Sequence, residues 1–194
     1  MKRRGRAALL LVDFINPLDV PLSPVLVKAT LQAAARTARL KARARRQNIP
    51  IIYANDNFGH WTSEFSVLVQ RCEQAGGDAA RIVQLVGPSP GDHSILKPRH
   101  SAFFDTPLGF LLETLRIDVI ILTGATTDSC ITFTAHDAYL RKYALWIPRD
   151  CVAAQRPAYG DATLRQMQRT LKVHTGTSLS GLDRGIGAAS KNTK

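Results

Sequence analysis

Cys130 follows an apolar run and a short turn, in the segment Ile-Ile-Leu-Thr-Gly-Ala-Thr-Thr-Asp-Ser-Cys. This pattern predicts a buried strand that breaks into a turn and leads into a helix, with Cys130 in the first turn. Backbone N–H groups at a helix start are unpaired and positively polarised, so they favour a thiolate and can donate to an oxyanion. Cys130 is therefore a candidate nucleophile. A free cysteine is also commonly a small core residue, and position alone leaves that alternative open.

Two charged residues also stand where apolar runs end. Asp13 closes the run at 7–12, and Lys97 closes a shorter run just before Pro98. Open α/β sheets gather their active sites at the carboxyl ends of parallel strands. We expect the charge of Lys97 to stabilise a Cys130 thiolate. We expect the carboxylate of Asp13 to accept the proton of the thiol. These residue types would suffice for amide hydrolysis through a thioester.

The elements that would position these residues alternate along the chain. Apolar runs of strand length predict strands at about residues 7–12, 50–54, 94–97, 119–123, 144–148 and 172–175. Helices are predicted between them, and the first has an apolar stripe formed by Val27, Leu31, Ala34, Ala38 and Ala42. Strands that are apolar throughout need cover on both faces. We therefore predict a three-layer α/β/α fold around a mainly parallel, six-stranded sheet.

Three stretches of the chain resemble one known family, the isochorismatase-like cysteine hydrolases, which include nicotinamidases, N-carbamoylsarcosine amidases and ureidoacrylate amidases. They read Leu-Leu-Val-Asp-Phe-Ile-Asn-Pro around Asp13, Lys-Pro-Arg-His-Ser-Ala-Phe from Lys97, and Thr-Gly-Ala-Thr-Thr-Asp-Ser-Cys-Ile around Cys130. The three stretches occur in the family's order, and the resemblance extends over about residues 7–175. It implies the Rossmann-like hydrolase fold of that family.

The resemblance also implies roles for individual residues. It assigns the catalytic triad to Asp13, Lys97 and Cys130. It assigns an oxyanion hole to the backbone N–H groups of Thr126 and Cys130, and implies a cis peptide bond between Ala125 and Thr126. Non-proline cis bonds are rare and occur mostly at functional sites.

The presence of Cys130 bears on the substrate. In the family members that cleave the vinyl ether of isochorismate, glycine typically replaces this cysteine. The resemblance therefore favours cleavage of an amide, carbamoyl or ureido C–N bond in a small molecule. Two alternatives stay open, a catalytically idle binding protein with this fold and a basic protein that associates with nucleic acid.

Metal binding is not expected. Nicotinamidases begin their metal-ligand set with Asp-x-His after the second strand, whereas here Phe58 stands two positions after Asp56. His60 could be a lone ligand, but a bound transition metal normally has three or more protein ligands. We predict no metal and no other cofactor.

Substrate contacts are expected from aromatic and polar residues near the triad, partly in the turn-rich loop after the second strand. The candidates are Phe14, Asn55, Asp56, Phe58, Trp61 and Phe103. Asn and Asp in such a loop can equally serve turn geometry, and Phe103 can equally belong to the core.

Length and composition fit one domain over residues 1–194. The chain has 194 residues, of which 45% are apolar, which is enough for a single core. We expect its end, from about residue 180, to be disordered, since few large apolar residues occur there. No apolar run approaches the roughly 18 residues of a membrane span. Three cysteines make no paired framework and suit a reducing compartment, so we predict a cytoplasmic protein.

The formal net charge of +11 is not explained by the resemblance. Arg36, Arg39, Arg43 and Arg46 share one side of the first predicted helix and form a basic stripe. We interpret the stripe as a solvated helix face, with a nucleic-acid site as the alternative, because net charge alone says little about specific binding. The expected partners are a small amide or ureido substrate and, by resemblance, further copies of the chain in a dimer or tetramer. Neither nucleic acid nor a membrane is expected as a partner.

Overall fold

The structure is a computed structural model that describes residues 5–18, 22–61 and 64–191. Within these residues the strands are β1 (Ala7–Val12), β2 (Ile51–Asp56), β3 (His93–Lys97), β4 (Val119–Ala125), β5 (Ala144–Trp146) and β6 (Val152–Ala153). The α-helices are α1 (Pro24–Arg46), α2 (Phe65–Ala75), α3 (Gly77–Val86), α4 (Leu108–Thr114), α5 (Thr132–Leu140), α6 (Pro157–Thr170) and α7 (Leu182–Lys191). No helix in these ranges combines the length and the apolar character needed to cross a membrane.

The strands form one parallel sheet in the order β3-β2-β1-β4-β5, and β6 pairs with the end of β4. Helices cover both faces. Along β1, Leu9 and Leu11 face one core, whereas Leu10 and Val12 face the other. Helices α1, α2, α3 and α7 contribute to the first core, and α4, α5 and α6 to the second. The predicted three-layer α/β/α fold with a six-stranded parallel sheet is thus confirmed.

Helix α1 begins at a Ser-Pro pair. Ser23 Oγ accepts the N–H of Leu26 at 3.1 Å, and Pro24 occupies the first turn, where its missing N–H costs no intrahelical bond. The core-facing line runs through Leu26 and Leu40, while Ala42 of the predicted stripe is exposed. The helix is therefore rotated from its predicted orientation, because its many alanines give little contrast between faces.

At the β5 edge of the sheet, one predicted strand is absent from the described residues and one observed strand was not predicted. The strand predicted at 172–175 is reduced to one isolated bridge, between Trp146 and His174. Strand β6 was not predicted, and it pairs with Gly124 and Ala125, beyond the part of β4 that pairs with β5. A strand of two residues has no sequence periodicity that could reveal it.

The expectation of disorder from about residue 180 is wrong for the residues of α7. Leu182, Ile186 and Ala189 are buried in the first core. The segment before this helix is fixed as well, because Asp150 accepts Ser178 N–H at 2.7 Å and Ser178 Oγ–H at 2.6 Å. Residues 192–194 lie outside the described residues.

Candidate active site

The three predicted triad residues lie at the carboxyl ends of three strands. Asp13 directly follows β1, Lys97 ends β3, and Cys130 lies in the π-helical turn Thr127–Ile131 that follows β4. The chain runs outward from β1 to β3 and then returns to place β4 on the other side of β1. Such a reversal opens a crevice at the strand ends, where α/β proteins bind their ligands.

Lys97 contacts both Asp13 and Cys130. Its Nζ lies 2.8 Å from Asp13 Oδ2 and 3.7 Å from Cys130 Sγ, and it donates to the backbone carbonyl of Arg99 at 3.1 Å. The side chain of Lys97 is 0% exposed. A buried ammonium needs partners for its charge and its donors. Asp13 is its ionic partner.

Backbone bonds hold Asp13 in place. Its φ angle is +50°, in the left-handed region that Asp tolerates better than most residues. Its N–H donates to the carbonyl of Ala54 at 3.1 Å, and its Oδ1 accepts the N–H of Asp56 at 2.7 Å. Because Oδ1 is bound in this way, Oδ2 is directed at Lys97.

Strand β4 approaches β1 very closely just before the turn that carries Cys130. Gly124 has a φ angle of +131°, and a Cβ there would lie 1.9 Å from the carbonyl oxygen of Val12. This contact requires glycine. The next peptide bond, Ala125–Thr126, is cis, as the resemblance implies. Thr126 directly precedes the turn Thr127–Ile131, and Cys130 lies within it.

The three groups determine one another's protonation. Burial raises the pKa of Asp13, although the Lys97 ammonium acts against this effect. Burial disfavours the charge of Lys97, but the neighbouring Asp13 and Cys130 outweigh it and leave the pKa of Lys97 raised. Burial and the charge of Asp13 raise the pKa of Cys130 to about 12, although Lys97 acts in the opposite direction. The charge of Lys97 therefore favours a Cys130 thiolate, as the sequence predicts, but burial and the charge of Asp13 outweigh this effect.

Among the predicted substrate contacts, Asp56 is next to the triad. Its Oδ2 lies 3.7 Å from Lys97 Nζ, and its Oδ1 accepts the N–H of Phe58 at 2.7 Å, so it also forms the turn. Phe58 and Trp61 are 39% and 77% exposed and project from the same loop. Contact of these three residues with a substrate stays a prediction.

The other three predicted contacts have buried side chains, each enclosed by the protein, so their burial does not favour contact with a substrate. Phe14 is fully buried in the first core. Asn55 is fully buried, and its side-chain amide donates to the carbonyl of Ile15 at 2.7 Å. Phe103 lies in the second core, stacked on Tyr143. The three residues support the strand ends rather than line an accessible pocket.

One residue of the site was missed from the sequence. His100 Nδ1 lies 3.9 Å from Cys130 Sγ, and its ring stacks on Phe133 with a centroid distance of 5.4 Å. The available signal was its position in the Lys97 stretch, three residues after the lysine. Sequence reasoning assigned chemistry to the lysine alone.

The remaining chemically interesting residues stand apart from the triad. Cys72 and Cys151 are buried. His60 is exposed, and in the described residues no three His, Cys, Asp or Glu side chains form a group that could hold a metal ion. The prediction that no metal is bound stays a prediction.

The predicted basic stripe does not form one uniform surface. Arg36 and Arg39 line a cleft of about 640 Å³ between α1 and α6, together with Arg149. Arg43, by contrast, donates to the carbonyl of Ser178 at 3.2 Å and so ties α1 to the segment before α7. A solvated helix face therefore describes only part of the stripe.

Comparison with known proteins identifies the class. The isochorismatase domain family model matches residues 7–178. The isochorismatase family protein YaaI of Bacillus subtilis is 36% identical over 164 residues, which are 84% of this chain and 90% of YaaI. The maleamate amidohydrolase of Pseudomonas putida is 27% identical over 181 residues, covering 83% of this chain and 84% of that enzyme. This chain belongs to the isochorismatase family.

The solved structures agree with this assignment. An isochorismatase family protein from Desulfovibrio vulgaris superposes with a TM-score of 0.76 at 24% identity, covering 94% of this chain and 99% of its own. Both the family and the fold expected from the sequence are therefore confirmed.

Proposed function

We propose that this chain is a hydrolase that cleaves an amide, carbamoyl or ureido C–N bond of a small molecule through a thioester on Cys130. The observation that carries the proposal is the contact of Lys97 Nζ with both Asp13 Oδ2, at 2.8 Å, and Cys130 Sγ, at 3.7 Å. The name of the related maleamate amidohydrolase supports the class of bond.

In the first half-reaction, the thiol proton moves to the carboxylate of Asp13. Burial has raised the pKa of this carboxyl, so the transfer is less uphill than it would be to an exposed aspartate. Lys97 then faces the thiolate and stabilises its negative charge. The thiolate attacks the carbonyl carbon, the C–N bond breaks, and the leaving nitrogen takes the proton from Asp13.

In the second half-reaction, Asp13 again accepts a proton and then returns it. A water molecule gives a proton to Asp13 and attacks the thioester carbon. The C–S bond breaks, and the Asp13 proton returns to the departing thiolate. One carboxylate thereby serves both halves, which predicts ping-pong kinetics.

The oxyanion of each tetrahedral intermediate is assigned to the backbone N–H groups of Thr126 and Cys130. Both residues belong to the turn after β4, whose position is fixed by the contact of Gly124 with β1. Backbone donors held in this way need no rearrangement when the negative charge develops.

The test is ammonia release from small amides and ureido compounds, namely nicotinamide, N-carbamoylsarcosine, maleamate, ureidoacrylate and biuret. We expect turnover of at least one compound by the wild type and none by Cys130→Ala. Cys151→Ala is the matched control, because Cys151 is also free but is buried away from Lys97. Its activity should remain.

Mass spectrometry of the intact protein should show an acyl adduct on Cys130 during turnover of that substrate. Substrate turnover by Cys130→Ala would contradict the proposal. If no compound is hydrolysed but one shifts the melting temperature of the wild type, the alternative of an idle binding protein gains support.

A further inference from the structure

His100 is placed beside the proposed nucleophile on a loop that several bonds fix. The carbonyl of the preceding residue, Arg99, accepts from Lys97 Nζ at 3.1 Å. On the other side, Ser101 Oγ donates to Asp137 Oδ2 at 2.5 Å. These bonds hold the backbone on both sides of His100, so its position does not depend on a substrate.

The next residue fixes the loop to the helix that follows the nucleophile. Ala102 N–H donates to Thr134 Oγ1 at 3.0 Å, and Thr134 is buried in α5. The loop with His100 and the segment with Cys130 are therefore joined at two points, through Thr134 and Asp137. A movement of the loop relative to α5 would break these contacts.

The ring itself is oriented by an aromatic side chain. Phe133 stacks on His100 with an interplanar angle of 26° and a centroid distance of 5.4 Å. This contact directs Nδ1 at Cys130 Sγ, 3.9 Å away. Catalytic hydrogen bonds are often long before a substrate binds and shorten afterwards.

We propose that the His100 Nδ1–H donates a hydrogen bond to the thiolate of Cys130. The inference rests on the proposed function in taking Cys130 as the nucleophile. The imidazole would act from the exposed side of the sulfur, while Lys97 acts from the buried side. The thiolate formed when Asp13 takes the proton would then have two donors, and the neutral imidazole tautomer with hydrogen on Nδ1 is sufficient for this.

A second hydrogen-bond donor would favour ionisation of Cys130, which other features of the site oppose. Burial and the charge of Asp13 both oppose ionisation of Cys130, and Lys97 is shared with Asp13 and with the Arg99 carbonyl. A hydrogen bond to a charged group is stronger than one between neutral groups. Its loss should therefore lower the population of the reactive thiolate.

The test is the rate at which iodoacetamide alkylates Cys130, followed by peptide mass spectrometry in the absence of substrate. His100→Leu and His100→Asn are nearly isosteric, but only the asparagine keeps an N–H donor close to the position of Nδ1. We expect His100→Leu to react about tenfold more slowly than the wild type, and His100→Asn to stay within about threefold of it.

His136→Leu is the matched control. His136 is an exposed histidine on α5 whose Nδ1 contacts the carbonyl of Thr132 at 2.8 Å, and its variant should react like the wild type. Equal rates for His100→Leu and His100→Asn, or a wild-type rate for His100→Leu, would overturn the inference.

This assay separates the inference from the proposed function, because alkylation requires no turnover. Turnover that is lost in Cys130→Ala, together with equal alkylation of the two His100 variants, would leave the hydrolase standing without the histidine donor. The expected contrast between the two variants, with no hydrolysis of any amide, would support the donor while the proposed reaction fails.

Discussion

Asp13 and Asp56 are linked by a hydrogen bond from the backbone N–H of Asp56 to Asp13 Oδ1, at 2.7 Å. The bond connects the ends of two neighbouring strands and leaves Oδ2 of the same carboxylate 2.8 Å from Lys97 Nζ. The carboxylate cannot rotate without breaking one of these contacts. The proposed proton acceptor is therefore oriented before a substrate arrives, which reduces the reorganisation needed during reaction.

Replacing Asp13 by asparagine should remove activity and stability together. The amide cannot accept the thiol proton, so kcat should fall by about 10²-fold to 10⁴-fold. Lys97, fully buried, would lose its nearer ionic partner and keep Asp56 at 3.7 Å, and loss of one member of a buried pair costs up to about 3–5 kcal/mol of unfolding free energy. Ammonia release and urea unfolding measure the two effects.

The double variant Asp13→Asn/Lys97→Met separates the two effects. Removal of the buried charge should recover part of the lost unfolding free energy, while activity stays absent. Wild-type stability of Asp13→Asn alone would show that Lys97 does not depend on this carboxylate.

Gly124→Ala should prevent β4 from pairing closely with β1 beside the active site. The new Cβ would lie 1.9 Å from the Val12 carbonyl oxygen, at a φ angle of +131° that alanine rarely adopts. We expect a loss of several kcal/mol, on the scale of the largest single-residue effects. Gly109→Ala is the control, since a Cβ in that α4 position meets nothing within 4 Å and alanine favours a helix. Thermal melting should rank the control at or above the wild type, and a stable, active Gly124→Ala would refute the close approach.

Lys41 should make the protein more stable as the pH rises through the alkaline range. Burial lowers its pKa from 10.5 to about 8, although Asp92 acts against this effect. The unfolded chain therefore binds this proton more tightly than the folded protein. The contribution of Lys41 to stability should rise between about pH 8 and pH 10.5, by no more than about 3 kcal/mol, whereas the raised pKa of Cys130 acts in the opposite direction over the same range.

Urea unfolding of Lys41→Met at several pH values should lack this rise. Lys28→Met, which changes an exposed lysine of the same helix, is the control and should keep it. Identical pH profiles for the wild type and Lys41→Met would contradict the assigned shift.

Removal of metal ions should leave turnover unchanged. Asp56 lies next to Lys97, and Phe58 occupies the position of the histidine in the nicotinamidase pattern. We expect the dialysed protein to hold far less than one metal ion per chain by plasma mass spectrometry, with full activity on its substrate. Activity that disappears with a chelator and returns with zinc, manganese or iron would show that the prediction is wrong.

The sheet, and the strand ends that carry Asp13, Lys97 and Cys130, were predictable because their signals are local. β1 and β4 are buried throughout and mostly apolar, and a charged residue or a turn marks the point where each ends. The assignment of pairs across the sheet needed the family resemblance, since Asp13 and Lys97 are far apart in sequence. The two-residue strand β6 is too short to carry a local signal.

The substrate contacts were harder to predict, because they depend on the direction of each side chain. Asp13 adopts a left-handed conformation, and the next residue, Phe14, is buried in the core. Asn55 precedes Asp56 in β2, and alternation along the strand sends the two side chains to opposite faces. His100 reaches Cys130 only because its loop is joined to α5, a contact that no spacing in the sequence reveals.

The positions of the triad residues also have a consequence for folding. Asp13 follows β1, Lys97 ends β3, and Cys130 follows β4. In the sheet, β2 lies between β1 and β3. Contacts of such long sequence separation form late and slowly. The ion pair beside the thiol can therefore exist only after four strands have assembled in register. During refolding from urea, the appearance of native Cys130 reactivity would report completion of the central sheet together with the adjoining helix α5.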